Sequence, residues 1–387
     1  YRHRFMPRPI FIDNNERATD VGRRSYLGGR TEAFHIGKVP GKVYCLDINS
    51  MYPYIMKHKA VPYRLATTRT NLELHQLSHL LESYAVVADV QLEVNEPCIP
   101  IRLDGRTTWP VGSFQAALTT PELSYALERG MVTKIDYAAI YHKDVIFSDY
   151  VDFFYGKRLE ARKSSDRATE GITKLFLNSL YGKFGQNGQR WSTVGQAEDM
   201  TIGFFNVYDA DEAVLTKYRQ FAGLVDALEE LPESSESFPA ISSHITAYAR
   251  MYLYYLMRVA GLDNLYYCDT DSLMVNEAGL DNLRPHMDPG ELGMLKLEWE
   301  SDAVTIHGLK DYVIDGLSKI KGIRKASIEI EAGIFSQEQF RGIEGMIREG
   351  DLDRFLIRTV TKKLMRQYLK GQVAETGKVF PLQLLQR

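Results

Sequence analysis

Residues 42–57, KVYCLDINSMYPYIMK, constrain this chain more than any other stretch. The first half is a run of β-formers that ends on an acid. The second half restarts as a helix with Pro53 near its first turn, where proline's missing N–H costs little. Asp47 is thereby left at a strand end, beside a chain reversal, with Tyr52 five residues further on. Such positions often carry chemistry, because the strand is rigid and the following loop is open to ligands. An acid there serves equally well as a cap for the next helix, so the remaining chain has to decide.

The second constraint is LYYCDTDSLMV at 265–275, two short apolar runs around Asp-Thr-Asp, which reads as a tight hairpin with its acids at the tip. Asp269 and Asp271 share a face if the alternation of a strand holds through them, and lose it if a turn intervenes. Two carboxylates about 4 Å apart repel by roughly 4 kcal/mol at an effective dielectric near 20. Acids placed this way among apolar residues call for a cation, and a divalent metal is the natural one; a merely polar turn is the competing reading.

A third segment lies between them. Residues 155–190 hold eight Lys or Arg against three acids, so this part is locally basic although the net charge is only -3. Ser164 to Asp166 supply N-cap candidates, a helix is expected through ITKLFLNSLYG, and Gly182 is a reasonable stop. Lys174, Asn178 and Tyr181 stand at i, i+4 and i+7 and project from one face, while Leu175, Leu177 and Leu180 can face inward. A cation, an amide and an aromatic ring in a line suit an anionic ligand that contains a ring; a solvated helix face is the alternative. Three carboxylates on two elements and a Lys-Asn-Tyr helix are what nucleotidyl transfer by two metals requires, with Asp47 and Asp271 as bridging ligands and Lys174 on the triphosphate. Mg2+ fits so few protein ligands, because it keeps waters and takes substrate phosphate oxygens.

Elsewhere the reading is coarser. Residues 1–42 are Arg-rich and turn-rich, and Gly28-Gly29 marks either a turn or a close approach to a ligand. Strands are expected at 84–94, 135–141 and 293–299, and helices at 121–129, capped by Thr119 or Thr120, and at 241–260. In the last of these Ile245, Tyr248, Tyr252 and Tyr255 point to the core, an aromatic stripe for packing. Residues 188–240 are polar, read as an insertion, and end in an acidic, Ser-rich exposed loop at 229–239. A basic cluster falls at Lys319, Lys321, Arg324 and Lys325. Arg354, Arg358, Lys362, Arg366 and Lys370 recur every four residues with no acid between, a basic ridge along an expected helix that either tracks a phosphate backbone or is simply solvated.

Taken together, these segments resemble family B DNA polymerases. Residues 47–53, DINSMYP, resemble that family's DxxSLYP motif, with Met51 in place of the usual Leu. KLFLNSLYG at 174–182 matches KxxxNSxYG, and YCDTDS at 267–272 matches YxDTDS, in the family's order and spacing. Tyr26-Leu27-Gly28-Gly29 resembles the YxGG template-contacting motif and Lys310-Asp311-Tyr312 the KxY primer-terminus motif of the protein-primed branch, polymerases of phages and linear plasmids that start on a terminal protein.

The resemblance implies an α+β fold: a right hand of palm, fingers and thumb with an antiparallel palm sheet and two insertions of the protein-primed type. The implied segments are 1–59 (palm with template loop and first motif), 60–154 (palm plus the terminal-protein-contacting insertion) and 155–187 (fingers), followed by 188–240 (the strand-displacement insertion), 241–307 (palm with the Asp-Thr-Asp hairpin) and 308–387 (thumb and primer-binding region). It implies Asp47, Asp271 and Asp269 around two Mg2+ ions, with Mn2+ as a substitute, and Lys174 as a catalytic cation. Tyr52 becomes a steric gate against the ribose 2'-hydroxyl, Tyr181 and Asn178 join the nucleotide pocket, and Arg162 and Lys157 are further triphosphate contacts. DNA contacts fall to Tyr26, Gly28, Gly29, Ser272, Lys310, Tyr312 and Lys321. Partners are a DNA template-primer, dNTPs and a terminal protein for a monomeric enzyme, in a bacterial cytoplasm if phage-encoded or a mitochondrion if borne on a linear plasmid.

One departure is large. The family's proofreading exonuclease carries Asp-x-Glu, which occurs nowhere in this sequence, so no 3'-5' exonuclease activity is expected of these 387 residues. Two other classes fit less well: a non-catalytic DNA-binding relative of the same fold, for which Asp47, Asp271 and Lys174 together have no use, and a two-metal nuclease, which the Lys-Asn-Tyr helix disfavours. Composition, 44% hydrophobic and 25% charged, is that of a globular chain large enough for more than one sub-domain. Apolar runs fall far short of the roughly 20 residues that span a bilayer. Three cysteines without CxxC spacing point to neither a disulfide framework nor a zinc cluster.

Overall fold

The β-former run becomes the strand Val43–Ile48, in which every residue but Asp47 is buried. A strand covered on both faces has to lie inside a sheet, and this one is fourth in a five-stranded antiparallel sheet. The order is Thr31–Ala33, Leu265–Asp269, Ser272–Val275, Val43–Ile48, Leu295–Ser301. Its side chains divide with period two. Tyr44, Leu46 and Ile48 enter the main core with Leu273, Val275, Leu253 and Met257. Val43 and Cys45 enter a smaller core with Tyr267, Met274, Val304 and Ile306. Asp47 belongs to the second set by parity and emerges where that core ends.

The structure, a computed structural model, describes residues 4–12, 15–186, 188–197, 199, 202–209, 214–231, 233, 237–320, 322–324, 326–340, 357–364 and 366–384. The chain divides into two compact units, one of Tyr1–Gly185, Phe238–Lys319 and Gln367–Arg387, the other of Gln186–Ser237 and Ile320–Arg366.

In the first unit the helix Pro239–Ala260 is buried along most of its length and anchors the main core. Full burial of each Ile, Leu or Met contributes about 1.5–3 kcal/mol. The expected aromatic stripe is only partly core: Ile245 is buried, but Tyr255 is 49% exposed, stacked on Tyr252 and edge-on to His286. The stripe is wider than the face the core can cover. A second five-stranded sheet orders Gln383–Leu384, Val111–Thr119, Tyr84–Val94, Val132–Asp144 and Val61–Thr70, all antiparallel except the first pair. The expected strands at 84–94 and 135–141 are both in it. The helix at 121–129 is Thr120–Glu128, closed by a Thr119/Glu122 capping box. Three helices escaped the sequence reading: Glu16–Ser25, capped by Asn15, Leu74–Ser83, and Glu277–Leu283, capped by Asn276.

The paired helices Ser148–Lys163 and Arg167–Phe184 follow. Asp166 caps the second by accepting from the Thr169 N–H. The helix runs past Gly182 to a Gly185 cap, because Gly182 sits in open space at helical φ and nothing forces a stop. Leu177 is fully buried, but Leu175 is 62% exposed: its place on the helix turns it away from the core side that Leu177 holds.

In the second unit the polar insertion is built of strands. Gly188–Gln196, Leu224–Leu231, Val214–Phe221 and Gly203–Asp209 form an antiparallel sheet in that order. Phe221 pairs with Leu224 across Ala222 and Gly223, both at positive φ (50° and 77°), the hairpin turn whose twist matches its strands. The first part of the acidic run, Glu229 to Leu231, ends a strand rather than an exposed loop.

The basic ridge is also corrected. Residues 357–363 are a strand paired with Ile334–Phe340, not a helix, since Ile357, Thr359, Val360 and Thr361 are β-branched and favour a pleated surface. Lys370 folds back on the first unit's sheet, donating to the Thr31 carbonyl at 2.9 Å. Arg354, Lys325 and Lys321 lie outside the described residues.

Candidate active site

One cross-strand row crosses the central sheet: Thr31, Asp269, Ser272, Asp47 and Lys296 are successive partners on five adjacent strands. Directly opposed residues of antiparallel strands share a face, so two acids 222 positions apart in sequence are brought into one line. The Asp-Thr-Asp turn closes one edge of it. Thr270 is left-handed (φ 64°), and its N–H donates to the Arg30 carbonyl at 2.6 Å. The Asp271 N–H donates to the Asp269 carbonyl at 2.7 Å, and the Asp271 carbonyl accepts from the Ile48 N–H at 2.7 Å. Backbone pairing therefore clips Asp271 to the end of the Asp47 strand. The turn at Thr270 breaks strand alternation between Asp269 and Asp271, yet the Asp271 carboxyl still feels the charges of both Asp47 and Asp269.

The three carboxylates differ in their counter-charges. Lys296 Nζ lies 2.8 Å from Asp47 Oδ2. Lys310 Nζ lies 2.5 and 2.6 Å from the two Asp269 oxygens, and Thr31 donates to Oδ1 at 3.1 Å. Asp271 has no ion pair among the described residues. Burial, then the neighbouring charges of Asp47 and Asp269, push its carboxyl up to about 6. A half-buried acid raised in this way is an unfilled demand for positive charge. No three His, Cys, Asp or Glu side chains are gathered to hold a metal among the described residues. The donor set fits a hard ion held by two carboxylates, with water and phosphate oxygens completing its shell.

Around the acids the other motifs converge. Ser50, at φ 51°, turns the chain from Asp47 into the helix Met51–His58, and Asn49 ties this turn down by donating to the carbonyls of Asp288, Pro289 and Glu291. Tyr52 stacks on Tyr181 with ring centroids 4.8 Å apart at 20°. Burial raises both phenols, so each stays a neutral hydroxyl. Gly29 lies beneath them: a Cβ there would stand 2.7 Å from Thr270 Cγ2 and 3.1 Å from the Tyr52 hydroxyl. Glycine at 29 is thus a close approach, while Gly28 faces open space. Tyr26 packs against Gly185 at the end of the Lys174 helix.

Lys174 and Asn178 are exposed on that helix, with no hydrogen bond or ion pair among the described residues. Arg162 pairs with Glu170 and Lys157 with Glu160. The Lys310 N–H donates to the Tyr267 hydroxyl at 2.8 Å, the Tyr312 ring lies 5.6 Å from that of Tyr267, and Ser272 Oγ donates to the Asp269 carbonyl at 3.3 Å.

Two residues were missed. Arg250, wholly buried, donates to the carbonyls of Leu27 (2.6 Å) and Gly28 (3.1 Å) and pairs with buried Glu122 at 2.6 Å, holding the glycine loop from below. A single Arg within ITAYARMYLYY was the available signal, because buried charges are rare unless paired. Arg158, also buried, donates to Ser50 Oγ at 3.0 Å; it lay hidden among the other cations of its helix.

The profile of the family described as DNA polymerase type B, organellar and viral, matches residues 5–224. The chain is 26% identical over 331 residues to a probable DNA polymerase of Neurospora intermedia, with 81% of this chain and 32% of that protein covered. It is 26% identical over 297 residues to the DNA-directed DNA polymerase of Enterobacteria phage PRD1, with 76% of this chain and 50% of that protein covered. The chain thus spans half or less of the length of these curated relatives. Phi29 DNA polymerase, solved with primer-template DNA and incoming nucleotide, superposes with a TM-score of 0.65 at 18% identity over 93% of this chain and 64% of that one. That likeness establishes the fold, a right-hand polymerase. With more than half of its residues matched by the profile, the chain belongs to the type B DNA polymerases of organelles and viruses.

Proposed function

We propose that this chain is the polymerising part of a protein-primed DNA polymerase, which extends a primer 3' hydroxyl, or a terminal-protein hydroxyl, by template-directed addition of dNMPs. The observation that carries it is the meeting of four separate segments at Gly29, Tyr52, Tyr181 and Thr270, next to the paired strands that present Asp47 and Asp271. Asp47 and Asp271 would hold Mg2+, which supplies activation of the attacking hydroxyl and stabilisation of the leaving pyrophosphate. Asp269 keeps Lys310 in place at the primer side. Tyr52 closes the pocket against a 2'-hydroxyl and Tyr181 supports it. Lys174, exposed and unpaired, neutralises the triphosphate, with Arg162 and Lys157 released from their glutamates as further contacts.

Residues 155–187, with most of the paired helices, act as fingers. Residues 60–154 include the first insertion, facing a terminal protein, 188–240 form the second, facing a displaced strand, and the segment from 308 includes the thumb. The working unit is a monomer, in a bacterial cytoplasm for a phage-encoded enzyme or a mitochondrion for a linear plasmid. None of the helices described is long and apolar enough to cross a membrane.

Primer extension with dNTPs and Mg2+, on a DNA primer and on a terminal protein, tests the reading. Wild type should extend, and Asp271→Asn should lose extension by several orders of magnitude while keeping its fold. Lack of extension by wild type on either primer refutes it and favours a DNA-binding relative. Metal-dependent degradation of DNA in place of extension would favour a nuclease.

A further inference from the structure

The carboxylate row contains a cation that the proposed chemistry does not use. Lys296 occupies the end of the row, directly opposite Asp47 on the neighbouring strand, with its ammonium 2.8 Å from Oδ2. It is not a locked structural pair: the Lys296 side chain is 39% exposed and that of Asp47 24%, so the ammonium can leave for water without breaking the core. Residues either side of it explain its direction. Leu295 and Leu297 both fall on the other parity of the strand, and the direct pairing of Lys296 with Asp47 fixes the lysine on the Asp47 face.

A divalent ion bound to Asp47 would lie about 2.1 Å from a carboxylate oxygen. An ammonium at hydrogen-bond distance from the same carboxylate would then stand within roughly 5 Å of a double positive charge, in a site sheltered on one side by protein, where such repulsion is not fully screened. The two cations therefore compete for Asp47. Without the lysine, folding would bring Asp47 and Asp271 together with no cation paired directly to either among the described residues.

We propose that Lys296 is a built-in counter-ion that neutralises Asp47 until a divalent cation takes its place, so that metal enters this site by exchange. Lys296 swings into solvent as the ion binds. The inference deepens the metal reading of Asp47 and Asp271 and rests on it.

The test is direct Mn2+ binding without DNA or nucleotide, read from the electron paramagnetic resonance of free Mn2+, for wild type, Lys296→Met, Lys296→Gln and Lys296→Arg, with circular dichroism to confirm folding. Removing the charge should tighten Mn2+ binding by about three- to tenfold, as expected for one partly exposed charge. The arginine variant should stay near wild type. Equal or weaker binding by both neutral variants overturns the exchange, weaker binding meaning that the lysine holds Asp47 in position. If neither wild type nor variants bind Mn2+, the metal reading itself fails, a result distinct from equal binding.

Discussion

Gly29→Ala is the most demanding perturbation the site offers, because it adds one methyl group and no charge. The new Cβ would meet Thr270 Cγ2 at 2.7 Å and Oγ1 at 3.1 Å, whereas carbon atoms pack at about 3.5–4.0 Å. Relief requires about 1 Å of movement. Rotating Thr270 does not provide it, since either branch of its side chain faces the glycine. The turn would have to shift, yet it is held by the Thr270 N–H on the Arg30 carbonyl and by the Asp271 backbone on both sides. Asp271 would move with it. Overpacking of this kind costs about 1–3 kcal/mol, and misplacing a reacting group by ~1 Å costs on the order of 10²-fold in rate. Single-nucleotide extension should show the loss mainly in kcat, with a melting temperature lower by about 2–4 °C per kcal/mol. Gly28→Ala is the internal control, since nothing lies within 4 Å of its added Cβ and its melting temperature should be unchanged. Full kcat in Gly29→Ala, or an equal loss of stability in both variants, would refute the argument.

Three further outcomes follow from neighbouring geometry. Tyr52→Val, which removes the ring stacked on Tyr181, should raise ribonucleotide use relative to deoxyribonucleotide, measured as the ratio of kcat/KM values, while Mn2+ binding stays intact. Arg250→Met should destabilise by about 3–5 kcal/mol, because it leaves Glu122 buried and unpaired, and Arg250→Met with Glu122→Leu should recover much of that in a denaturant-unfolding cycle. His244 is buried, donates from Nδ1 to the Ala240 carbonyl and faces Thr120 Oγ1 at 3.0 Å; burial pushes it down to about 4. The unfolded chain takes up this proton near pH 6.5 and the folded chain only near 4, so its contribution is complete above pH 6.5 and is lost as pH falls toward 4. The loss amounts to ~3 kcal/mol, and His244→Asn should flatten stability over that window.

Local signals were legible where the residues concerned act on their own neighbours. The β-former run ending at Asp47, the helix restarting at Pro53, the Asp-Thr-Asp hairpin and the strand at 84–94 all depend on patterns within about ten residues, and all appear in the fold. Where partners set the outcome, local reading failed. The recurrence of cations at 354–370 has helical spacing, yet 357–363 pairs as a strand because a complementary strand at 334–340 is available. The strands of the insertion at 188–231 were not legible, because their sheet exposes Val194, Phe205, Tyr208 and Leu215 and so lacks the apolar alternation of a half-buried strand. Glu16–Ser25 was hidden by its many charges, although Ala18 and Val21 reach the core.

For the site, the sequence by itself determined which chemistry is available: acids at a strand end and at a hairpin tip, a cation-amide-aromatic helix, and paired glycines, in an order that identifies the family. These are properties of short segments, and residue type carries them. Only the tertiary structure decided how the acids are electrostatically distinguished. Tertiary packing sets Lys296 on Asp47 and Lys310 on Asp269, while Asp271 has no ion pair among the described residues. It also decided that Gly29 is needed for close packing while Gly28 is not, and that Arg250 and Glu122 hold the loop from beneath. The physical reason is that charge pairing and steric contact act over a few ångströms in space, between residues far apart in the chain, such as Asp47 and Lys296, 249 positions apart.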